Sequence, residues 1–149
     1  MKIATLLSTL FGIGRAPVSG TVASAVALPF AWIIMAHGGS FVLGAASILA
    51  LGTGIWSCGA YVRATGRDDP SECVIDELAG QWLACAFAPL SLWGFALAFI
   101  LFRLFDIAKP WPISAMERLP GGYGVMMDVM LAGLVAGLLV LLATHLGLA

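Results

Sequence analysis

Two adjacent carboxylates enter an apolar stretch at Asp76-Glu77, within the run Cys73-Val74-Ile75-Asp76-Glu77-Leu78-Ala79-Gly80. Ionisable side chains at membrane depth are costly and are functional candidates by default. The same pair would also serve as favourable charges at a helix N-terminus near the headgroup level. A second group is Arg103, Asp106 and Lys109, spaced three apart in the run from Arg103 to Pro112. That spacing lays them on a slowly drifting stripe of one helix face, and Pro110 and Pro112 then stop the helix. Standing alone, the stripe equally suits an interfacial anchor with Trp111 at the headgroups. Two glycine-rich stretches complete the set, Gly12 to Thr21 and Gly121 to Asp128. Such bends can turn backbone N–H groups toward a phosphate or be plain turns. Thr21 could cap a helix or offer its hydroxyl to a phosphate, and Asp128 is a single carboxylate on an otherwise apolar helix.

The elements that must carry these residues are apolar. The chain of 149 residues is 61% hydrophobic and 10% charged, with a mean hydropathy of +1.03. A soluble domain has roughly a quarter of its residues charged, so a bilayer is the expected solvent. A net charge of −1 without any basic run argues against a nucleic-acid partner. Residues 1–149 read as one domain. Apolar segments run over about 22–36, 41–62, 74–88, 90–105 and 125–148. A span needs about 20 residues. The second and fifth meet this comfortably, whereas the third and fourth, divided by Pro89, could be thin spans or a re-entrant hairpin. Residues 3–11 are too short an apolar run for a signal peptide and read as an interfacial segment. The predicted fold is an all-α integral membrane bundle of about five apolar helices.

Five crossings put every formal charge at or near one face, because the turns at 37–40 and around Pro89 carry none. The positive-inside rule makes that face cytoplasmic. In the last helix, Ala132, Gly133, Ala136 and Gly137 allow close helix approach, and Gly44, Gly52, Gly54 and Gly59 fit the same compact bundle. Cys58, Cys73 and Cys85 form no CxxC pair and read as small buried hydrophobes.

Carboxylates at Asp69, Asp76, Glu77, Asp106 and Asp128 thus share a face with Arg63, Arg67, Arg103 and Lys109. Hard oxygen ligands with no His or Cys among them suit Mg²⁺ or Mn²⁺. His37 and His145 fall on the opposite face, which excludes a phosphohistidine on this topology. An Asp-x-Asp nucleophile is absent, as is the Lys…Arg-Pro, Pro-Ser-Gly-His pattern of other membrane lipid phosphatases. What remains is metal-activated water attacking phosphorus while cations stabilise the oxygens that gain charge.

Four ordered blocks carry a family resemblance: Gly14 to Ser24, Asp69 to Gly80, Arg103 to Ile113 and Gly121 to Gly133. With Arg-Leu-Phe-Asp-Ile-Ala-Lys-Pro-Trp-Pro-Ile as the most specific of them, the chain resembles phosphatidylglycerophosphatase A over nearly its whole length. The resemblance implies an all-helical, multi-pass protein of the bacterial cytoplasmic (inner) membrane that hydrolyses phosphatidylglycerophosphate to phosphatidylglycerol with Mg²⁺, its site on the cytoplasmic face. Carried over by position, Asp76, Glu77, Asp106 and Thr21 are catalytic candidates, Arg103 and Lys109 hold the phosphate, and Asp76, Glu77, Asp128 and Asp69 bind the metal. The family's pattern differs at three positions. Ser19 stands where a proline is usual, Ala23 replaces a glycine, and Val129 replaces the second of two aspartates. Adjacent helical residues point about 100° apart, so two aspartates there could not both face one site squarely, which makes the second more dispensable than the first. Two rival readings are a family member without turnover, kept as a lipid-binding or assembly protein, and a small transporter or channel subunit. Polar residues crowded at one end rather than at mid-depth speak against the transporter.

Overall fold

The apolar segments are all helical, the first two running on as one helix bent at Gly39. The computed structural model describes residues 2–149. Its elements are α1 (Lys2–Ser8), a 3₁₀ turn (Ile13–Arg15), α2 (Ser19–Thr65), α3 (Ile75–Ala86), α4 (Leu92–Ala108), α5 (Ile113–Met116) and α6 (Gly122–His145). No strand occurs among the described residues.

α2 contains two of the predicted segments. Gly39, at φ 80° and ψ −178°, interrupts it, and only glycine takes that backbone conformation at little cost. The chain therefore runs away from the charged face along one arm and returns along the other. α2 ends on Gly66 in the left-handed conformation, its N–H bonded to the Val62 carbonyl. α4 starts on Ser91, whose Oγ accepts the Gly94 N–H at 3.0 Å.

α2 and α6 are long and apolar enough to cross a membrane. α3 is not: its 12 residues reach only about 18 Å, against a hydrocarbon core of about 30 Å. α3 and α4 form a hairpin whose ends return to one face, because Glu77 near the start of α3 bonds Arg103 near the end of α4 at 3.0 Å. The short α3 survives by being enclosed. Ser47 Oγ donates to the Ala79 carbonyl at 2.8 Å and Trp82 Nε1 to the Ala27 carbonyl at 3.0 Å, tying α3 to both arms of α2. Against α6 the backbones nearly touch: a Cβ on Gly133 would lie 2.4 Å from the Gly80 carbonyl oxygen. The small-residue stripe of α6 thus works inside the bundle. Of the glycines in the second segment, Gly54 and Gly59 pack against Met126 and Gly122, whereas Gly44 and Gly52 face open space, contrary to expectation. Large apolar side chains such as Phe41, Leu49, Trp93 and Leu142 lie outward.

Candidate active site

The polar ends of these helices surround one cavity of about 430 Å³. The start of α2 contributes Val18, Ser19 and Gly20, and the segment between α2 and α3 contributes Asp69 and Ser71. Asp76 and Glu77 come from the first turn of α3, Arg103, Asp106 and Ile107 from the last turns of α4, and Asp128 and Val129 from α6. Two bonds hold the connecting segment over the opening. Ser19 Oγ donates to the Ser71 carbonyl at 3.0 Å, and the Val74 N–H donates to the Ser8 carbonyl at 2.8 Å.

Arg103 is the hub. Its Nη1 donates to Glu77 Oε2 at 3.0 Å and to Asp106 Oδ2, and its Nη2 donates to Thr21 Oγ1 at 3.3 Å. Two carboxylates and a hydroxyl from three helices therefore fix the guanidinium plane. Its Nε is buried and has no acceptor among the described residues. A buried donor left unsatisfied costs about 1–3 kcal/mol, and an anionic oxygen would relieve it.

Lys109 follows the last residue of α4 in the left-handed conformation, φ 44° and ψ 57°, just before Pro110. That turn aims its amine back at the cavity. Nζ donates to Asp128 Oδ2 at 2.9 Å and to Glu117 Oε1. Burial pulls the Lys109 pKa down, but hydrogen bonds to Glu117 and Asp128 outweigh it and the net shift is upward, so the amine stays charged.

Asp76 differs from its neighbours. It is 7% exposed, its Oδ1 accepts the Glu77 N–H at 2.9 Å, and it has no ion-pair partner among the described residues. Asp69 sits exposed at the rim, also outside any ion pair there, beside a smaller recess of about 180 Å³ shared with Asp68, Glu117 and Asp128. Carboxylates on the wall outnumber cations, with Asp69, Asp76, Glu77, Asp106 and Asp128 against Arg103 and Lys109. Among the described residues no three acidic, histidine or cysteine side chains gather as a ready metal cage. The oxygens surround the cavity instead, and their chemistry and surplus negative charge suit a hard cation.

Of the residues singled out from sequence, Asp69, Asp76, Glu77, Arg103, Asp106, Lys109 and Asp128 all line this cavity. Thr21 stands behind Arg103 instead, and it does not cap α2, where Val18 holds the N-cap position without a side-chain bond. Val129 lines the cavity beside Asp128, but its side chain also packs into the core, with Cγ1 2.6 Å from where a Cβ on Gly80 would lie. The bend at Gly121-Gly122 packs tightly, since a Cβ on Gly122 would lie 2.1 Å from the Ile55 carbonyl oxygen. Two residues at the site were not singled out as candidates in the sequence. Cys73 lies on the wall, and Glu117 anchors Lys109. Glu117 could have been suspected as an acid shortly after the lysine, but nothing in the spacing fixed that pairing.

The chain matches the family Phosphatidylglycerophosphatase A over residues 6–144. It belongs to that family. The phosphatidylglycerophosphatase A of Escherichia coli (strain K12) is 34% identical over 144 residues, covering 94% of this chain and 83% of that protein. The Haemophilus influenzae phosphatidylglycerophosphatase A is 33% identical over 138 residues, covering 91% and 85%. A Bacteroides thetaiotaomicron protein with the provisional name phosphatidylinositol-3-phosphatase is 35% identical over 146 residues, covering 93% and 91%. No solved structure matches. All the residues lining the cavity fall within the four blocks that carry the phosphatidylglycerophosphatase A resemblance.

Proposed function

We propose that the chain is a Mg²⁺-dependent phosphatase that hydrolyses phosphatidylglycerophosphate to phosphatidylglycerol and phosphate, as a multi-pass protein with its cavity on the cytoplasmic face of the bacterial inner membrane. One observation carries this reading: an arginine with a buried, unpartnered donor and an unpaired buried carboxylate share a cavity built from the family's own blocks. The relatives named phosphatidylglycerophosphatase A support the substrate. The lipid phosphomonoester is common to these and to the phosphatidylinositol-3-phosphatase name.

Arg103 offers its positive charge to the phosphate oxygens, its guanidinium held in plane by Glu77, Asp106 and Thr21. Lys109 adds a second positive charge on the cavity wall. Asp76, Glu77 and Asp128 would hold Mg²⁺, with Asp69 at the rim completing the oxygen set. The bound cation would supply Lewis-acid activation of water and neutralise charge on the phosphoryl oxygens. A water oxygen then bonds to phosphorus as the bond to the glycerol oxygen breaks. A cavity carboxylate accepts the water's proton, and the departing alkoxide takes up one proton.

Purified protein should release phosphate from phosphatidylglycerophosphate with Mg²⁺ and stop on addition of EDTA. Asp76→Asn should remove turnover and keep the thermal unfolding profile. Well-folded protein inactive with every divalent ion tried would overturn the proposal. Val129 on the wall favours one rival, a lipid-binding protein without turnover, which would show as saturable binding of the lipid and no phosphate release.

A further inference from the structure

The cavity mouth combines unlike groups. Asp69, Ser71 and Lys109 are polar. Beside them the mouth has an apolar edge: Val18 at the start of α2 and Ile107 at the end of α4 are 74% and 69% exposed. Leu104, on the turn of α4 preceding Ile107, continues this lip and is 55% exposed. Val18 also sits in the left-handed region, at φ 52° and ψ 47°, which is costly for a β-branched side chain. No core packing offsets that cost, because the side chain is mostly exposed at the cavity mouth.

The seam beneath this lip is the loosely closed one. α2 and α4 touch little along their length. Deeper in the bundle Trp32 meets Phe95 edge-on, with ring centroids 5.2 Å apart. At the mouth, the polar link across the seam is Arg103 reaching Thr21 at 3.3 Å. The seam of α3 with α6 is drawn together by backbone contact between Gly80 and Gly133, and that of α3 with α2 by bonds to backbone from Ser47 and Trp82.

From this geometry we infer a lateral doorway between the start of α2 and the end of α4. A lipid phosphomonoester passes its head sideways to Arg103, while its acyl chains stay outside against Val18, Leu104 and Ile107. The occupant of the lip is the acyl chain, because the apolar edge is continuous with a charged cavity and an amphipathic molecule matches both. This inference rests on the function proposed above but can fail separately from it.

The test uses full-length protein in phosphatidylcholine vesicles. The probe is phosphatidylglycerophosphate carrying a diazirine midway along one acyl chain. Photolabel should concentrate on Val18, Leu104 and Ile107, and excess unlabelled phosphatidylglycerophosphate should compete it away. Ile107→Gln and Leu104→Gln should each raise KM for the long-chain lipid by about tenfold, and Leu104→Gln, which lies off the cavity wall, should leave hydrolysis of water-soluble glycerol phosphate unchanged. Leu142→Gln, on the outer face of α6, should change neither. Label spread evenly over the outer faces of α2 and α6, or KM unmoved by both glutamines, would overturn the doorway. So would crosslinks joining two copies of the chain through Ile107. Labelling at the lip without any turnover would support the doorway and defeat the proposed hydrolysis.

Discussion

Gly20 sits where the first turn of α2 presses on the Glu77–Arg103 pair. A methyl group there would lie 2.5 Å from Glu77 Oε1 and 3.2 Å from Arg103 Nη2. Carbon and oxygen do not pack that closely, so the carboxylate must retreat by roughly 0.5–1 Å. Both crowded atoms end flexible side chains, so the fold can absorb the change. Alanine is also the better helix former, by about 0.5–1 kcal/mol, and the net charge is untouched. Gly20→Ala should therefore separate two properties. Thermal stability should stay within about 1 kcal/mol of wild type, while turnover falls by on the order of 10²-fold, the usual result of a ~1 Å misplacement at a reacting centre. Gly44→Ala, in the same helix, is the matched control: its methyl meets nothing within 4 Å. It should keep full turnover and lose no stability. Phosphate release from phosphatidylglycerophosphate in detergent micelles, measured beside thermal unfolding of both variants, gives the comparison. If Gly20→Ala stays within about threefold of wild-type turnover, the Glu77–Arg103 geometry does not control the rate and the reasoning fails.

Thr21 positions Arg103, so Thr21→Ala should lower kcat/KM by roughly tenfold, the value of one hydrogen bond to a charged group, and Thr21→Ser should restore it; equal activity of the two variants would remove the hydroxyl from the scheme. Lys109→Met leaves Asp128, 4% exposed, without its cation, and should destabilise by about 3 kcal/mol. Adding Asp128→Asn should recover much of that in the same unfolding assay, and additive losses would deny the pairing. Gly133→Ala puts a methyl group 2.4 Å from the Gly80 carbonyl oxygen, where backbone faces backbone and cannot yield. It should cost about 1–3 kcal/mol, and an unchanged Tm would mean that α3 and α6 are not in such close contact.

Much of this arrangement was legible in the sequence because a bilayer makes charge expensive. A chain with so few charged residues can place them only where water or a partner compensates, so the ends of the apolar segments located the site face. Period and spacing then put Arg103 beside Asp106 on one helix face. The sequence was silent wherever backbone geometry redirects a side chain. Lys109 reaches Asp128 because a left-handed turn before Pro110 swings it inward, and no propensity encodes that direction. Thr21 looked like a cap or a phosphate ligand because hydroxyls do both at helix starts, and only the tertiary placement of Arg103 decides that it accepts from a guanidinium. The shortness of α3 was visible, but its enclosure depends on contacts to Ala27, Ser47 and Gly133 from two other helices, which local pattern cannot reveal.

Val129 bears on how the cavity balances its charge. Unit charges about 4 Å apart in a partly buried setting interact by about 4 kcal/mol, so each added carboxylate repels a phosphate appreciably. With Arg103 shared between Glu77 and Asp106, and Lys109 between Asp128 and Glu117, neither cation is fully free to offset a doubly charged headgroup. Asp76 has no such partner, so a cation bound at the start of α3 would be its counter-charge. On the proposed function, a divalent ion held there and the phosphate would reinforce each other, since each relieves repulsion that the other must face. A valine in place of a second aspartate lowers the repulsion and removes a possible ligand at once. The cation then depends more heavily on Asp76 itself, which makes that residue, rather than Asp128, the one whose neutralisation should cost the most.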